Sequence, residues 1–180
     1  PQLWVEPKTD WGEGAIQLVQ IPTVDETMDN IVAFWNPAQK LEPGQEALFG
    51  YRLYWGLKLP VQSTLATCTA TRTGLGGVVG KRRAHYAWRF AVDFAGGPLA
   101  RLDWGKATVE PVITLSSGRA ETVSARPLAA LKGARVMFDV VPRQTLDPIT
   151  IRLYLRMGGK SLSETWLYEW VPPALEARKV

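Results

Sequence analysis

Acidic side chains are the residues of this sequence that could hydrolyse a glycosidic bond. That reaction needs two carboxyl groups on either side of the bond, about 5 to 9 Å apart. The candidates are Glu6, Asp10, Glu13, Asp93, Asp139, Glu164 and Glu169. Glu6 and Asp10 have the better setting, because they lie near a turn that is rich in glycine and contains Trp11. Spacing alone specifies no pair, so we assign no catalytic residue.

Other kinds of reactive site fail on composition or spacing. In the segment 73–82, Gly74 and Gly80 enclose five residues instead of the four of a phosphate-binding loop, and Arg82 stands where Ser or Thr should bind Mg²⁺. One cysteine, Cys68, and one histidine, His85, are too few for a Cys/His zinc site. No Gly-x-Ser-x-Gly elbow is present. We therefore predict no metal, nucleotide or other cofactor.

The charge pattern argues against nucleic acid as a partner. The net charge of +4 is scattered along the chain, and Lys81-Arg82-Arg83 is the only tight basic cluster. Nucleic-acid-binding proteins gather basic residues along a whole face, whereas this cluster is typical of a solvated loop. The longest apolar runs are far too short to span a bilayer, so we predict no membrane insertion.

Alternation of apolar and polar residues predicts an all-β fold. Trp88, Phe90, Val92 and Phe94 share one face of a strand, and the runs 135–140 and 150–156 repeat the pattern. By the same alternation we expect Asp93 and Asp139 to face solvent. Turn signals such as Ser117-Gly118 separate short strands, and no convincing amphipathic helix is present. These features predict a β-sandwich.

Two segments interrupt this regular pattern. Residues 1–23 hold two strand-like runs, 3–6 and 15–21, and a polar stretch at 24–30 resembles a linker. We place the sandwich at 31–172 and a tail at 173–180. The basic, glycine-rich loop Gly74–Ala87 is long enough to predict a functional or mobile segment. Because the chain begins at Pro1 without an initiator Met or a signal-like segment, we expect it to be part of a longer protein.

Ordered sequence motifs along nearly the whole chain resemble one family, the periplasmic glucan biosynthesis proteins MdoG, OpgG and OpgD. The motifs include Leu3-Trp4-Val5-Glu6-Pro7, Trp11-Gly12-x-Gly14-Ala15, Asp29-Asn30-Ile31-Val32-Ala33-Phe34-Trp35, Tyr51-Arg52-Leu53-Tyr54-Trp55, Ala70-Thr71-Arg72-Thr73-Gly74, Arg89-Phe90-Ala91-Val92-Asp93-Phe94 and Ser163-Glu164-Thr165-Trp166-Leu167-Tyr168. The loop after Gly77 looks shorter here than in the family. This difference puts in doubt any role for its tip in covering a cleft.

The resemblance implies a two-domain periplasmic protein. An N-terminal β-sandwich carries a carbohydrate-binding cleft, and a smaller immunoglobulin-like β-sandwich follows. Residues 1–23 would then be a short β remnant of the first domain, with strands that have lost their sheet partners, and residues 31–172 would be the immunoglobulin-like sandwich. The family serves the synthesis of osmoregulated periplasmic glucans with a β-1,2-linked glucose backbone. Some members resemble inverting β-1,2-glucanases, whose key acid would lie upstream of Pro1.

Three functions remain open from the sequence. The chain is an accessory domain, non-catalytic by itself, of a glucan-processing protein, or it contributes cleft residues to a β-1,2-glucanase or transglycosylase. Under the second reading the carbohydrate-binding candidates are Trp4, Glu6, Trp11 and Arg72, with Trp11 stacking on a sugar ring. Alternatively, Arg72 pairs with a local carboxylate and Glu6 caps backbone N–H groups. Under the third reading the loop with Lys81–Arg83 docks on a membrane glucosyltransferase or on a second copy, giving a homodimer.

Overall fold

Antiparallel β-strands build almost all of the regular structure of this chain. A computed structural model describes residues 2–21, 31–57, 60–61 and 63–179. The chain divides into two compact units, Pro1–Gln62 and Ser63–Val180. In the described residues the only helical segments are short 3-10 turns at Gly97–Arg101, Ala129–Leu131 and Leu175–Ala177. The predicted all-β class is therefore confirmed.

The first unit consists of two separate antiparallel ribbons. Strand β1 (Gln2–Pro7) pairs with β4 (Tyr51–Gly56), and β2 (Gly14–Gln20) pairs with β3 (Ile31–Pro37). Most of their apolar side chains are exposed, and each of the four strands has only one partner strand. The runs that were expected to lack partners are thus both paired within the chain.

The division between the units differs from the boundary that the sequence predicted. That boundary fell before Ile31, but β3 and β4 belong to the first unit because their backbone hydrogen bonds go to β2 and β1. The second unit begins at Ser63. The predicted linker at 24–30 lies outside the described residues. That the first unit is part of a larger domain stays a prediction.

The second unit contains two sheets that enclose one core. The first sheet has the order β5–β6–β9–β8, and in the second β10 lies between β7 on one side and β11 and β12 on the other. The strands are β5 (Thr67–Leu75), β6 (Trp88–Ala95), β7 (Glu110–Leu115), β8 (Arg119–Leu128), β9 (Gly133–Val141), β10 (Ile149–Met157), β11 (Lys160–Ser161) and β12 (Trp166–Trp170). Core residues come from both sheets, which makes the unit a β-sandwich.

The predicted inward-facing residues form this core. Phe90, Val92 and Phe94 are fully buried, as are the alternating residues Val136, Phe138, Val140, Ile151, Leu153 and Leu155 of β9 and β10. Trp166 is part of the same core. Its ring packs edge-on against Phe90, and its indole N–H donates to the Thr71 hydroxyl at 2.9 Å. Period-two alternation therefore identified the buried faces of β6, β9 and β10 correctly.

Two glycines near turns between strands have different structural roles. Gly118 has φ = 81°, as the turn between β7 and β8 requires. Gly133 is not in the left-handed region, which Lys132 occupies instead with φ = 47°. A side chain at Gly133 would collide with the carbonyl oxygen of Phe94 on the neighbouring strand. Gly133 is thus required by close backbone packing.

Candidate functional site

A groove of about 820 Å³ lies in the first unit beside the turn that contains Trp11. Carboxylates, amides and aromatic rings line it together with small apolar residues. The polar and aromatic lining residues are Asp10, Trp11, Glu13, Gln39, Gln45, Glu46 and Phe49. A concave surface that combines aromatic faces with a few hydrogen-bonding groups is typical of a small-molecule or sugar site.

Local hydrogen bonds fix the Trp11 turn. The Asp10 carboxylate accepts the N–H of Gly12 at 2.8 Å, and Gly12 takes φ = 70°, a conformation that favours glycine. The indole N–H of Trp11 donates to the carbonyl of Gly50 at 3.2 Å. The indole is therefore held in one orientation beside the groove.

Three further aromatic rings pack edge-on around Trp11. Its ring centroid lies 6.0 Å from that of Trp35, 5.5 Å from that of Phe49 and 6.1 Å from that of Tyr51. Such T-shaped contacts stabilise aromatic clusters beyond the area that they bury. The sequence reasoning did not assign Trp35 or Phe49 to the site, because both come from segments distant in sequence. The Trp35 indole nitrogen is buried and has no hydrogen-bond partner among the described residues.

Glu6 and Trp4 share one face of the β1–β4 ribbon. Glu6 lies opposite Arg52 and Trp4 lies opposite Tyr54, and neither of the two predicted residues lines the groove beside Trp11. The Glu6 carboxylate forms an ion pair with Lys8 at 2.6 Å and accepts the Tyr54 hydroxyl at 2.8 Å. Its two partners are therefore side chains, not the backbone N–H groups of a cap.

These contacts favour the ionised form of Glu6. The hydrogen bond from Lys8, and then that from Tyr54, lower the pKa of Glu6 below its ordinary value of 4.5. A carboxyl group with a lowered pKa is ionised at neutral pH, so it can accept hydrogen bonds but is a poor proton donor. Glu6 is thus suited to accepting hydrogen bonds from hydroxyl groups.

Arg72, the fourth predicted residue, lies in the second unit on β5. Its guanidinium contacts Asp93 at 2.7 Å, which is the local pairing that the sequence left open as its alternative role. Arg135 donates two hydrogen bonds to the same carboxylate, of 2.7 and 2.8 Å. Whether Arg72 also contacts carbohydrate stays a prediction.

The expectation that Asp93 and Asp139 face solvent is wrong. Both point away from the core, yet Asp93 is 1% exposed and Asp139 is fully buried. The strand register explains this, because it places Arg135 directly opposite Asp93 and Arg89 directly opposite Asp139. The guanidinium groups cover the carboxylates and pair with them. Neither acid is free for glycosidic chemistry.

The Asp93 cluster predicts a loss of stability in acid. Hydrogen bonds from Arg135, and then from Arg72, lower the pKa of Asp93 below its ordinary value of 3.8, although burial opposes them. A lowered pKa in the folded state means that the stabilisation is present above the unfolded-state pKa and is lost as the pH falls through the folded-state pKa. We expect the free energy of unfolding to decrease below about pH 4.

Urea denaturation of the second unit across this acidic range, compared with Asp93→Asn, tests the prediction. The variant should be less stable at neutral pH. Its free energy of unfolding should decrease less steeply than that of the wild type as the pH falls. Parallel curves for the two proteins would show that Asp93 does not contribute to the acid response.

The remaining acidic candidates divide between the groove and structural positions. Asp10 and Glu13 line the groove, which Glu46 also lines although it was not among the candidates. Glu164 accepts the backbone N–H of Cys68 at 2.6 Å, and Glu169 is exposed on β12. Within the described ranges no group of acidic, His and Cys residues has a metal-binding arrangement. Among the described residues, no helix is long and apolar enough to cross a membrane.

The fold and the groove define an all-β protein whose first unit carries an aromatic and acidic groove and whose second unit is a β-sandwich. Comparison with known families assigns the chain more closely. The sequence model of the family described as "Periplasmic glucan biosynthesis protein, MdoG" matches residues 1–170. The chain therefore belongs to this family, and the resemblance noted from its motifs is confirmed.

Three curated relatives support the same assignment. The chain is 63% identical over 182 residues to a glucans biosynthesis protein D of Xanthomonas axonopodis pv. citri (strain 306) and 63% identical over 183 residues to that of Xylella fastidiosa (strain M12). It is 64% identical to that of Xylella fastidiosa (strain M23). All or nearly all of this chain is covered, but it spans only about a third (34%) of the length of these relatives.

Proposed function

We propose that this chain acts in periplasmic glucan biosynthesis and that the groove beside Trp11 contacts a glucan chain. The observation that carries the proposal is the fixed Trp11 indole, which lies in a groove lined by three carboxylates and two side-chain amides. The names of the curated relatives and of the family support glucan as the ligand class and the periplasm as the location. The ligand that we propose is β-1,2-linked glucan.

The chemistry of the groove fits a sugar chain. A pyranose ring presents an apolar C–H face that can lie against an indole, and its hydroxyls can donate to carboxylates and exchange hydrogen bonds with amides. Gln39 and Gln45 line the groove from the segment that follows β3, and Asp10 and Glu13 line it from the turn that contains Trp11. Both segments would therefore offer hydrogen-bonding partners to the hydroxyl groups.

We propose an accessory role for the chain by itself. Because it spans about a third of its relatives' length, the remaining two thirds of such a protein can supply catalytic acids. In the chain itself, the carboxylates of Asp93 and Asp139 are occupied by arginines, and Glu6 is held ionised. The sandwich unit would be the immunoglobulin-like domain that the family resemblance implies. Its role in the whole protein would be to support the structure or to contact a partner.

Trp11→Ala should weaken the binding of β-1,2-glucan by about tenfold, because the loss of an aromatic stacking contact costs up to about 1.5 kcal/mol. Isothermal titration calorimetry with β-1,2-glucan measures the change. The matched control is Trp55→Ala, which removes an indole that is 72% exposed on β4 and does not line the groove. That variant should bind like the wild type.

A second variant keeps the test decisive if Trp11→Ala disturbs the first unit. Glu13→Gln leaves the indole in place, removes one anionic acceptor from the groove wall and should weaken binding by a smaller factor. Equal loss of binding in the Trp11 and Trp55 variants would contradict the proposal, as would wild-type affinity in both Trp11→Ala and Glu13→Gln.

A further inference from the structure

The tip of the loop between β5 and β6 exposes apolar and basic side chains together. Residues 78–81 form a turn in which the N–H of Lys81 donates to the carbonyl of Val78 at 3.1 Å, and Gly80 takes φ = 79°. Val79 occupies the corner of this turn and is 97% exposed. Lys81 and Arg82 come after Val79 and Gly80 in the chain, and they form no ion pair with any residue that the structure describes.

The base of the loop is held rigidly, so Val79 cannot easily fold back onto the sandwich. The N–H of Gly77 donates to Asp139 at 2.9 Å, and the carbonyl of Gly77 accepts from Arg89 at 2.7 Å. Arg83 donates to the carbonyl of Gly76 at 2.8 Å. A single exposed apolar side chain is ordinary at a protein surface, but at the tip of a turn whose base is held by hydrogen bonds it is accessible to a second surface.

The same end of the sandwich gathers further positive charge. Six strand termini lie together at this end of the sandwich. They are the end of β5, the start of β6, the start of β8, the end of β9, the start of β10 and the end of β12. The connecting segments and the tail at this end contribute six basic residues, Lys81, Arg82, Arg83, Arg143, Arg178 and Lys179, against the two acidic residues Asp147 and Glu176. The connecting segments at the opposite end contribute three basic residues, Arg101, Lys106 and Lys132, against Asp103 and Glu164.

Arg178 joins two of these segments. Its guanidinium donates to the carbonyls of Arg143 and Thr145 in the β9–β10 loop and to that of Pro173 in the tail. Backbone carbonyls satisfy its donors without neutralising its charge. The tail that precedes Lys179 is thus fastened to this end of the sandwich, and its positive charge adds to that of the loop.

We propose that this end of the second unit docks on an anionic lipid surface through the Val78–Lys81 turn. Lys81 and Arg82 would lie at the level of the phosphate headgroups, and the Val79 side chain would enter the boundary between headgroups and acyl chains. This is contact at a surface, and it needs no apolar run that spans the bilayer. The adjacent apolar and basic side chains of the turn match the two layers of an anionic lipid surface, the acyl boundary and the phosphate headgroups.

Sedimentation with vesicles tests the docking of the 180-residue chain. We expect binding to vesicles of phosphatidylcholine mixed with phosphatidylglycerol, little binding to phosphatidylcholine alone, and weaker binding at high salt because ions screen the attraction. A Lys81→Ala/Arg82→Ala variant should lose about 25-fold in partitioning, since each basic residue near such a surface contributes about fivefold. Val79→Ser should lose about threefold or more.

The matched control is Lys106→Ala/Lys160→Ala, which removes the same net charge from the opposite end of the sandwich and should bind like the wild type. Equal loss in the two double variants would overturn the proposal, because net charge alone would then explain the binding. Wild-type binding by Val79→Ser would overturn it as well. Binding to soluble dextran sulfate without binding to anionic vesicles would identify a polyanion site in place of a lipid-docking surface.

Discussion

Asp139→Ala should lower the free energy of unfolding of the second unit by about 3–5 kcal/mol, because it leaves a partly buried arginine without its counter-charge. Asp139 is fully buried and receives two hydrogen bonds from Arg89, of 2.6 and 2.8 Å, and one from the N–H of Gly77 at 2.9 Å. The variant removes all three. Urea denaturation followed by circular dichroism measures the loss.

An exposed ion pair of similar geometry provides the control. Glu110 and Arg156 also form a two-hydrogen-bond pair, with both distances 2.8 Å, but water reaches both side chains. Glu110→Ala should therefore cost at most about 1 kcal/mol. Similar losses in the two variants would show that burial does not set the strength of the Asp139 cluster.

The double variant Arg89→Met/Asp139→Leu separates the ion pair from the loop contact. Replacing both charges with apolar groups removes the unpaired charge, so much of the stability should return. The N–H of Gly77 would still lack its acceptor, and the carbonyl of Gly77 would lack its donor, Arg89. A remaining deficit, accompanied by faster amide hydrogen exchange at Gly77, would measure how much Arg89 and Asp139 together contribute to holding the base of the loop.

The sequence predicted the buried face of each core strand but not the state of the side chains on the opposite face. Alternation identified Phe90, Val92 and Phe94 as inward-facing because it is a local property of the chain. The burial of Asp93 depends on Arg135, which lies opposite it only in the actual register between β6 and β9. Register is a property of two strands distant in sequence, so a single strand pattern could not reveal the pairing.

The sequence did not predict where the chain divides into units, for a related reason. The runs Ile31–Trp35 and Tyr51–Trp55 have the same apolar and aromatic character as the strands of the sandwich. Which sheet such a run joins is decided by its partner strand, and here the partners are β2 and β1. The polar stretch before Ile31 therefore resembled a linker, although the strands on either side of it pair with each other.

The candidate site was only partly predictable. Trp11 stood out because its turn has a distinctive local sequence, and the groove lies beside it. Phe49, Gln39 and Gln45 reach the groove from a segment without a strand pattern. No local signal distinguishes those residues from ordinary loop residues. Conversely, Arg72 was a candidate because arginine can bind hydroxyls, and only the fold shows its position beside Asp93.

Phe138→Ala should lower the free energy of unfolding of the second unit by about 3–5 kcal/mol, as expected for the loss of a buried aromatic side chain. Phe138 is fully buried between the sheets, stacks on Phe90 with ring centroids 5.4 Å apart, and meets the edge of Trp166 at 6.5 Å. The cavity would remain open because rigid β-strands on both sides limit collapse. Thermal and urea denaturation measure the loss.

Phe34→Ala makes the same chemical change in the first unit, where the ring is 41% exposed on a two-stranded ribbon. It should leave the unfolding transition of the sandwich within about 0.5 kcal/mol of the wild type, because the change lies outside that core. If Phe138→Ala is too unstable to fold, Phe138→Leu should still show a loss of about 1–2 kcal/mol from the missing ring carbons. Equal effects of the Phe34 and Phe138 variants on the sandwich transition would mean that the two units unfold as one cooperative structure, and the stability of the sandwich could then not be assigned to its own core.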